Sequence, residues 1–481
     1  MAGSLLSTPG FALQPSGERV ALASNYISDF NFLSQYLPDT YEAEFERYGN
    51  RTVASFLRMV GAEMPTNSDL IKWSEQTRLH PKYTNVSSNQ SATADTATLE
   101  IEDVNPRTGV EIAEHALRVG QTIMVSENTA GSTNTNKAII TAVSAIGAAT
   151  LSVDVAYYEA GGQTFGNKAS GAVVSLFVYG SEFAKGQEGM VGSVEATPDI
   201  YDNSPIILKD KYSVNGSDLA QIGWIEVTTE NGATGYLWYL KSEHETRLRF
   251  EDYMETAMIE AVPAATGSGA IAAAAPLGSK GSEGIFHAVE NRGNVWSGGN
   301  PTTLSDFDAV IQRLDKQGAI EENVLFINRE FSFDIDDMLA AQNSYGAGGT
   351  SYGLFDNDEQ MALNLGFSGF RRGYDFYKTD WKYLNDPQFR GGITAGKVNG
   401  LLVPAGSTTV YDQILGKNAT RPFLHVRYRA SEAEDRRYKT WITGSAGGAG
   451  MSTSLDAMEV HFLSERAVCV MGANNFFIFK G

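Results

Sequence analysis

The chain closes on Met458-Glu-Val-His-Phe-Leu-Ser-Glu465-Arg466-Ala-Val-Cys-Val-Met-Gly472-Ala-Asn474-Asn475-Phe-Phe-Ile-Phe-Lys-Gly481. Apolar alternation brackets one charged pair, Glu465–Arg466, and one Gly-Ala-Asn-Asn turn. A period of two is that of a half-buried strand. The stretch reads as two adjacent strands with a polar junction, not as a catalytic site. It ends a β-rich quarter, Gly366 to Gly481, that is broken by glycine turns. Cys469, the only cysteine, sits between Val468 and Val470 and reads as a core thiol, so no intrachain disulfide can form.

Upstream, residues 285–365 read as α/β. Thr303 with Asp306 begins a helix whose stripe is Phe307, Val310, Ile311 and Leu314, and Gly318 stops it. Asn323 to Asn328 reads as a short buried strand and Phe331 to Asn343 as another helix. Before this lies the strongest helical pattern, Tyr236 to Glu260. Lys241/Glu245, Glu243/Arg247, Glu245/Arg249 and Arg247/Glu251 place opposite charges four residues apart. Pro263 and a Gly/Ala/Ser-rich connection, Ala264 to Gly284, end it.

From Trp73 to Gly235 the pattern is strands. The clearest is Ala149 to Val155, with Gln121–Val125, Lys137–Val143 and Gly171–Tyr179 as expected partners. Residues 106–180 read as a compact small β-domain inserted into a longer two-stranded excursion, which returns through Tyr201 to Val214. Pro205, Lys209 and Lys211 discourage stray edge pairing there. The first 38 residues are small and polar, with Pro9, Gly10, Pro15 and Gly17 breaking any helix. Tyr26, Ile27, Phe30, Phe32, Leu33 and Tyr36 favour a docking arm over a loose tail. A helix is expected next, with Asp39 and Glu42 at its start and Phe45, Val53, Phe56, Leu57 and Val60 as its stripe.

The 481 residues suffice for about three domains. With 42% hydrophobic and 20% charged residues, large cores can be buried. The net charge of -20 argues against a dedicated nucleic-acid binder but suits a wall that does not hold phosphate. No secretory signal and no apolar run near the ~20 residues of a membrane span is visible. The chain therefore reads as made and used without secretion.

The motifs of enzymes are missing. Gly267-Ser-Gly269-Ala-Ile-Ala272 matches a dinucleotide fingerprint by letters, but it follows a helix and Pro263 rather than a strand. No phosphate-binding Gly-Lys-Ser/Thr loop, nucleophile elbow or zinc-binding His-Glu-x-x-His is present. The six histidines lack ligand spacing. Asp334, Asp336 and Asp337 are expected near a helix start. Asp356, Asp358 and Glu359 read as a solvated loop, with calcium the sharper alternative. Arg371–Arg372 and the run Arg427, Arg429, Arg436, Arg437 and Lys439 read as charge networks on strands or at subunit contacts.

The order of parts is arm, helix, β-excursion, long charged helix, α/β region and terminal sheet. It resembles that of the major capsid proteins of tailed bacteriophages, the Hong Kong 97-like fold family. Gly284-Ile-Phe-His-Ala-Val-Glu-Asn-Arg-Gly293, Val324-Leu-Phe-Ile-Asn328-Arg329-Glu330, and Gly444-Ser-Ala-Gly447 through Glu465–Arg466 to Asn475 are the stretches that look like the family. The insertion at 106–180 departs from the minimal pattern.

The resemblance implies an α+β fold. Its parts are an arm (1–38), a helical segment of the peripheral domain (39–72), an extended β-loop (73–235) with the inserted domain, a spine helix with its Gly-rich connection (236–284), an axial domain (285–440) and C-terminal strands of the peripheral domain (441–481). It implies a non-enzymatic structural protein of the virion, assembled in the host cytoplasm. Such a protein self-assembles through pentamers and hexamers into an icosahedral shell around double-stranded DNA. Its partners would be portal, scaffold and decoration or head-fibre proteins, with no membrane and no cofactor. Candidate subunit-contact residues are Phe30, Phe32, Lys209, Lys211, Arg247, Glu251, Arg371, Arg372, Glu465 and Arg466. The Gly-rich segments Ala264–Gly284 and Gly346–Gly353 are the candidate hinges. An encapsulin-type compartment and a β-rich glycan-binding or glycan-cleaving protein are the alternatives.

Overall fold

Alternating inward residues, Leu99, Ile101, Val153 and Val155 among them, close the excursion into a barrel. The structure is a computed structural model. It describes residues 52–53, 56–57, 62–76, 78–89, 95–104, 109–128, 134–145, 150–160, 173–193, 198–220, 227–228, 234–235, 238–274, 280–343, 368–412, 417–446 and 454–481. The architecture is α+β. It falls into two units. The larger comprises Ser55–Ile207, Thr256–Arg437 and Glu465–Gly481. The smaller includes Leu208–Glu255 and Tyr438–Ser464.

In the larger unit, β1 (Ala62–Thr66) precedes β2 (Ile71–Glu75). The barrel follows as β3 (Lys82–Ser88), β4 (Thr96–Ile101), β5 (Gln121–Glu127), β6 (Thr135–Val143), β7 (Ser152–Tyr157) and β8 (Val173–Ser181). The chain returns on β9 (Asp199–Asn203), antiparallel to β2. The barrel order is β3-β4-β7-β6-β5-β8, closed and antiparallel throughout. Closure removes the unpaired edges that an open sheet would leave. The compact β-unit therefore starts at Lys82, not at residue 106. A register shift between Tyr83 and Val86 breaks the period-two pattern of β3, so its first half does not look like a barrel strand. β6 is the partner of β7, as expected, whereas β5 lies between β6 and β8.

The chain continues through β10 (Ile206–Asn215), a helical turn α1 (Gly216–Leu219), a short hairpin of β11 (Val227–Thr228) and β12 (Thr234–Gly235), the long helix α2 (Trp238–Glu260) and the short helix α3 (Gly269–Ala274). Next come α4 (Ile285–Arg292), β13 (Asn294–Trp296), α5 (Leu304–Gln317), β14 (Glu322–Ile327) and α6 (Arg329–Asn343). Thr303 and Asp306 form the capping box of α5, and Gly318 ends it in the left-handed region at φ 69°. Asp334, Asp336 and Asp337 lie beyond the first turn of α6, because that helix begins earlier than the sequence suggests. Asp336 there pairs with Lys378 at 2.5 Å.

The remaining elements are β15 (Gly369–Arg372), β16 (Tyr374–Asp380), the turn α7 (Lys382–Asn385), β17 (Val398–Pro404), the hairpin β18 (Ser407–Asp412) and β19 (Lys417–Pro422), β20 (Leu424–Arg429), β21 (Lys439–Gly444), β22 (Ala457–Val470) and β23 (Phe477–Lys480). A six-stranded mixed sheet has the order β13-β23-β17-β14-β16-β15. On one face α5 and α6 bury Phe307, Val310, Leu314, Phe331 and Ile335 against Leu325, Ile327, Leu402 and Phe479. On the other, Phe326 meets Phe56 edge-on at 4.5 Å, and Phe56 stacks on Trp381 at 4.4 Å.

The final two strands do not pair with each other. β23 is an interior strand of the six-stranded sheet, while Leu424–Tyr428 of β20 pairs antiparallel with Arg466–Val470 of β22 and β1 lies parallel to β20. A boundary at residue 440 thus cuts across both sheets. Gly472, at φ 59° and ψ 50°, makes the turn between the two strands, a conformation that only glycine adopts at little cost. Cys469 is buried beside Ile71 and Ala467.

The smaller unit packs α2 on strands. Phe250 and Met254 meet Val214, Met458, Val460 and Phe462. Asp252 of α2 accepts from Thr52 Oγ1 at 2.6 Å and Val53 N at 2.9 Å. Phe56 and Leu57 are helical, but Ala62–Thr66, expected within a helical segment, is strand. The arm at 1–38, the start of the following helix, the hinge at 346–353 and the Asp356–Glu359 cluster lie outside the described residues.

Candidate assembly site

The base of the β2–β9 ribbon is held by an arginine clamp. The register sets Ile71 opposite Asn203 and Trp73 opposite Tyr201, so these side chains share the face turned to the body. Lys72, Ser74, Ile200 and Asp202 turn outward and are exposed. Arg292, from the last turn of α4, places its guanidinium 4.5 Å from the Tyr201 ring centroid and 5.7 Å from that of Trp73. It also bonds Glu283 at 2.7 Å and lies 3.8 Å from Glu75. Glu75 accepts from Trp73 Nε1 at 3.0 Å and from the Gly472 backbone at 2.9 Å.

Asn203 completes the arrangement. Its amide donates to Val468 O at 2.7 Å and Glu283 O at 2.9 Å, while its oxygen accepts from Ser282 Oγ and Glu283 N. One arginine thus meets two aromatic rings and a bonded carboxylate at once, which the compact charge of a lysine cannot reproduce. Two strands, a helix, the segment before it and the closing turn are thereby locked together.

The candidate contact residues are dispersed. Phe30 and Phe32 lie outside the described residues. Lys209 is exposed on β10, and Lys211 reaches Glu459 at 3.1 Å. Arg247 bonds Glu243 one turn back at 3.6 Å; Glu251 is half-buried on the same helix. Arg249 leaves the helix for Asp210 at 3.4 Å. Arg371 pairs with Asp375 at 3.2 Å and Arg372 with Asp308 at 2.8 Å, so both charges are engaged within the chain.

Glu465 and Arg466 are not a pair. Successive strand residues face opposite ways. Glu465 takes Arg436 at 2.7 Å, while Arg466 takes Glu63 at 3.4 Å and donates to Arg437 O at 3.0 Å. Burial pulls the Arg466 guanidinium below its ordinary value, with Glu63 opposing that shift. Glu63 also pairs with Arg437, which ties β1 into the network.

A second closed network sits beside an open cleft of about 630 Å³ lined by Tyr383, Pro387, Phe389 and Arg390. Arg390 grips Glu260 through two bonds of 2.6 and 2.7 Å, and Tyr383 donates to the same carboxylate at 2.6 Å. Burial first, and the Glu260 bond second, push the Tyr383 hydroxyl up, so it stays protonated. With these charged groups mutually satisfied, the cleft offers no free acid, base or nucleophile from this trio. Among the described residues no cluster of three or more His, Cys, Asp or Glu could hold a metal ion, and no helix is long and apolar enough to cross a membrane.

The clamp leaves little local signal in the sequence. Its members are spread from Trp73 to Gly472. The available signals were the i,i+2 spacings Trp73/Glu75 and Tyr201/Asn203, and the Gly284–Gly293 stretch that contains Arg292.

No family model matches the chain, and no curated protein matches it. Among solved structures it is similar to one from Microbacterium phage Oxtober96, at 8% identity over 94% of this chain and 99% of that one, TM-score 0.40. It is likewise similar to the capsid of a native GTA particle, at 10% identity over 96% and 99%, TM-score 0.40. The capsid of cyanophage P-SCSP1u matches at 8% identity over 62% of this chain and 79% of that one, TM-score 0.34.

Proposed function

We propose that this chain is the shell-forming subunit of a tailed-phage capsid, a structural protein that assembles with copies of itself through pentamers and hexamers around double-stranded DNA. The observation that carries this reading is the clamp. A buried arginine, two aromatics, two carboxylates and an amide fix one two-stranded ribbon, and that ribbon bears a barrel. Such rigidity suits a part whose angle matters to a neighbour.

The order of ribbon, long helix, six-stranded sheet and closing strands supports it. Large apolar side chains also stand in solvent on the larger unit, including Leu79 at 85%, Val191 at 79% and Phe333 at 58%. Permanent interfaces bury roughly 2,000–5,000 Å² and would cover such groups. In this reading the -20 charge keeps the wall from holding the packed nucleic acid, and portal, scaffold and decoration proteins are the further partners.

The arm is tested by deleting residues 1–38. The truncated protein should keep its far-ultraviolet circular dichroism and its melting transition yet form no shells by electron microscopy. Normal shells would show that residues 1–38 have no part in assembly.

A further inference from the structure

The outer wall of the barrel carries an open cleft of about 560 Å³ lined by Thr122, Lys137, Tyr158, Glu159, Tyr179 and Glu182, among others. It is not a by-product of regular pairing. Thr122 faces Gly180 and Ile123 faces Val178, so Tyr179 is an extra residue at a bulge in β8. A bulge bends its strand and re-aims the side chain it carries. Tyr179 is 49% exposed, and so is Tyr158, just past the end of β7. The Tyr158 hydroxyl donates to Glu182 at 2.5 Å, which fixes the ring. Burial, then this bond, push that hydroxyl up to about 12, so it remains a donor. The Lys137 ammonium lies 5.7 Å from the Tyr179 centroid.

This chemistry selects among ligands. A cation would compete with Lys137, which already holds the cation position at Tyr179. A phosphate would meet Glu159 and Glu182. A wholly apolar molecule would strip water from Lys137 and Glu182 without replacing their hydrogen bonds. A neutral molecule with an apolar face and a hydroxyl rim fits all three constraints. Its carbon–hydrogen face lies on tyrosine, and its hydroxyls meet the ammonium and the carboxylates.

We propose that this cleft is a binding subsite for a neutral saccharide, with Tyr179 as the stacking platform and Lys137 and Glu182 as the hydroxyl partners. It does not depend on the shell reading, because the purified subunit alone should show it.

The test titrates the full-length protein with cellohexaose, maltohexaose and chitohexaose, read by saturation-transfer NMR and calorimetry. At least one hexasaccharide should bind saturably with a Kd of about 1 mM or tighter, and Tyr179→Ala should weaken it ~10-fold or more at unchanged melting temperature. Tyr158→Phe, which keeps the ring, should weaken it less. Absence of saturable binding up to ~10 mM for all three sugars, or equal binding by Tyr179→Ala, overturns the proposal. Should Tyr179→Ala melt early, the Tyr179 ring resonances of the unaltered protein decide. Movement on adding the sugar supports the site, and unmoved resonances overturn it. A neighbouring copy filling the cleft in assembled particles overturns it as well.

Discussion

His115 shows how one side chain couples the barrel to pH. It is half-buried in the segment before β5. Burial first, then the positive charge of Arg118, hold its pKa below the ordinary value. The unfolded chain therefore takes up the proton first as pH falls through the ordinary histidine value near 6.5. The neutral form contributes stability above that pH, and the contribution is lost below it. Thermal melts at pH 7.5 and 5.5 should show a larger fall for the natural chain than for His115→Gln. Parallel behaviour of the two would contradict the assignment.

Residue types alone were a fair guide where a partner is near in sequence. Thr303, Asp306 and Gly318 announced both ends of α5 because caps act within one turn. Glu465 and Arg466 misled because strand neighbours point apart, so adjacency in the chain is separation in space.

At the scale of elements, the clamp decides whether the ribbon has one setting. Removing the guanidinium leaves Glu283 without its bonded cation in a largely buried place, where the Arg292 side chain is only 14% exposed. Breaking such a pair costs about 3 kcal/mol or more, and Arg292→Ala should lower the stability of the larger unit by that order in chemical denaturation. Arg292→Lys should recover less than half, because a compact ammonium cannot contact Tyr201 and Trp73 while bonding Glu283. Full recovery by lysine would reduce the clamp to a simple charge pair.

Elements were legible by kind and not by destination. The long helix, α5, α6 and the two closing strands follow from periodicity and caps. The sheet that each strand joins does not, because alternation looks the same whatever lies alongside. β23 thus follows β22 in the chain yet enters the six-stranded sheet. β3 carries no clear barrel-strand pattern because its register shift disrupts the alternation. The clamp draws on residues up to 397 positions apart, a distance over which no local signal operates.

For the molecule as a whole, the proposed assembly would give the subunit its full cover on sister copies. In the proposed shell, the exposed apolar residues of the larger unit and the clamped ribbon would give neighbours something to bury and something fixed to bury it against. The gross gain from permanent contacts, at ~25 cal/mol per Å² over some thousands of Å², is tens of kcal/mol before ordering costs. Sedimentation velocity of the purified full-length protein, with negative-stain images of the peak fractions, tests this most directly. Closed shells in the megadalton range are the expected result. A single boundary at the 52.0 kDa of one chain, persisting as concentration rises, would contradict it.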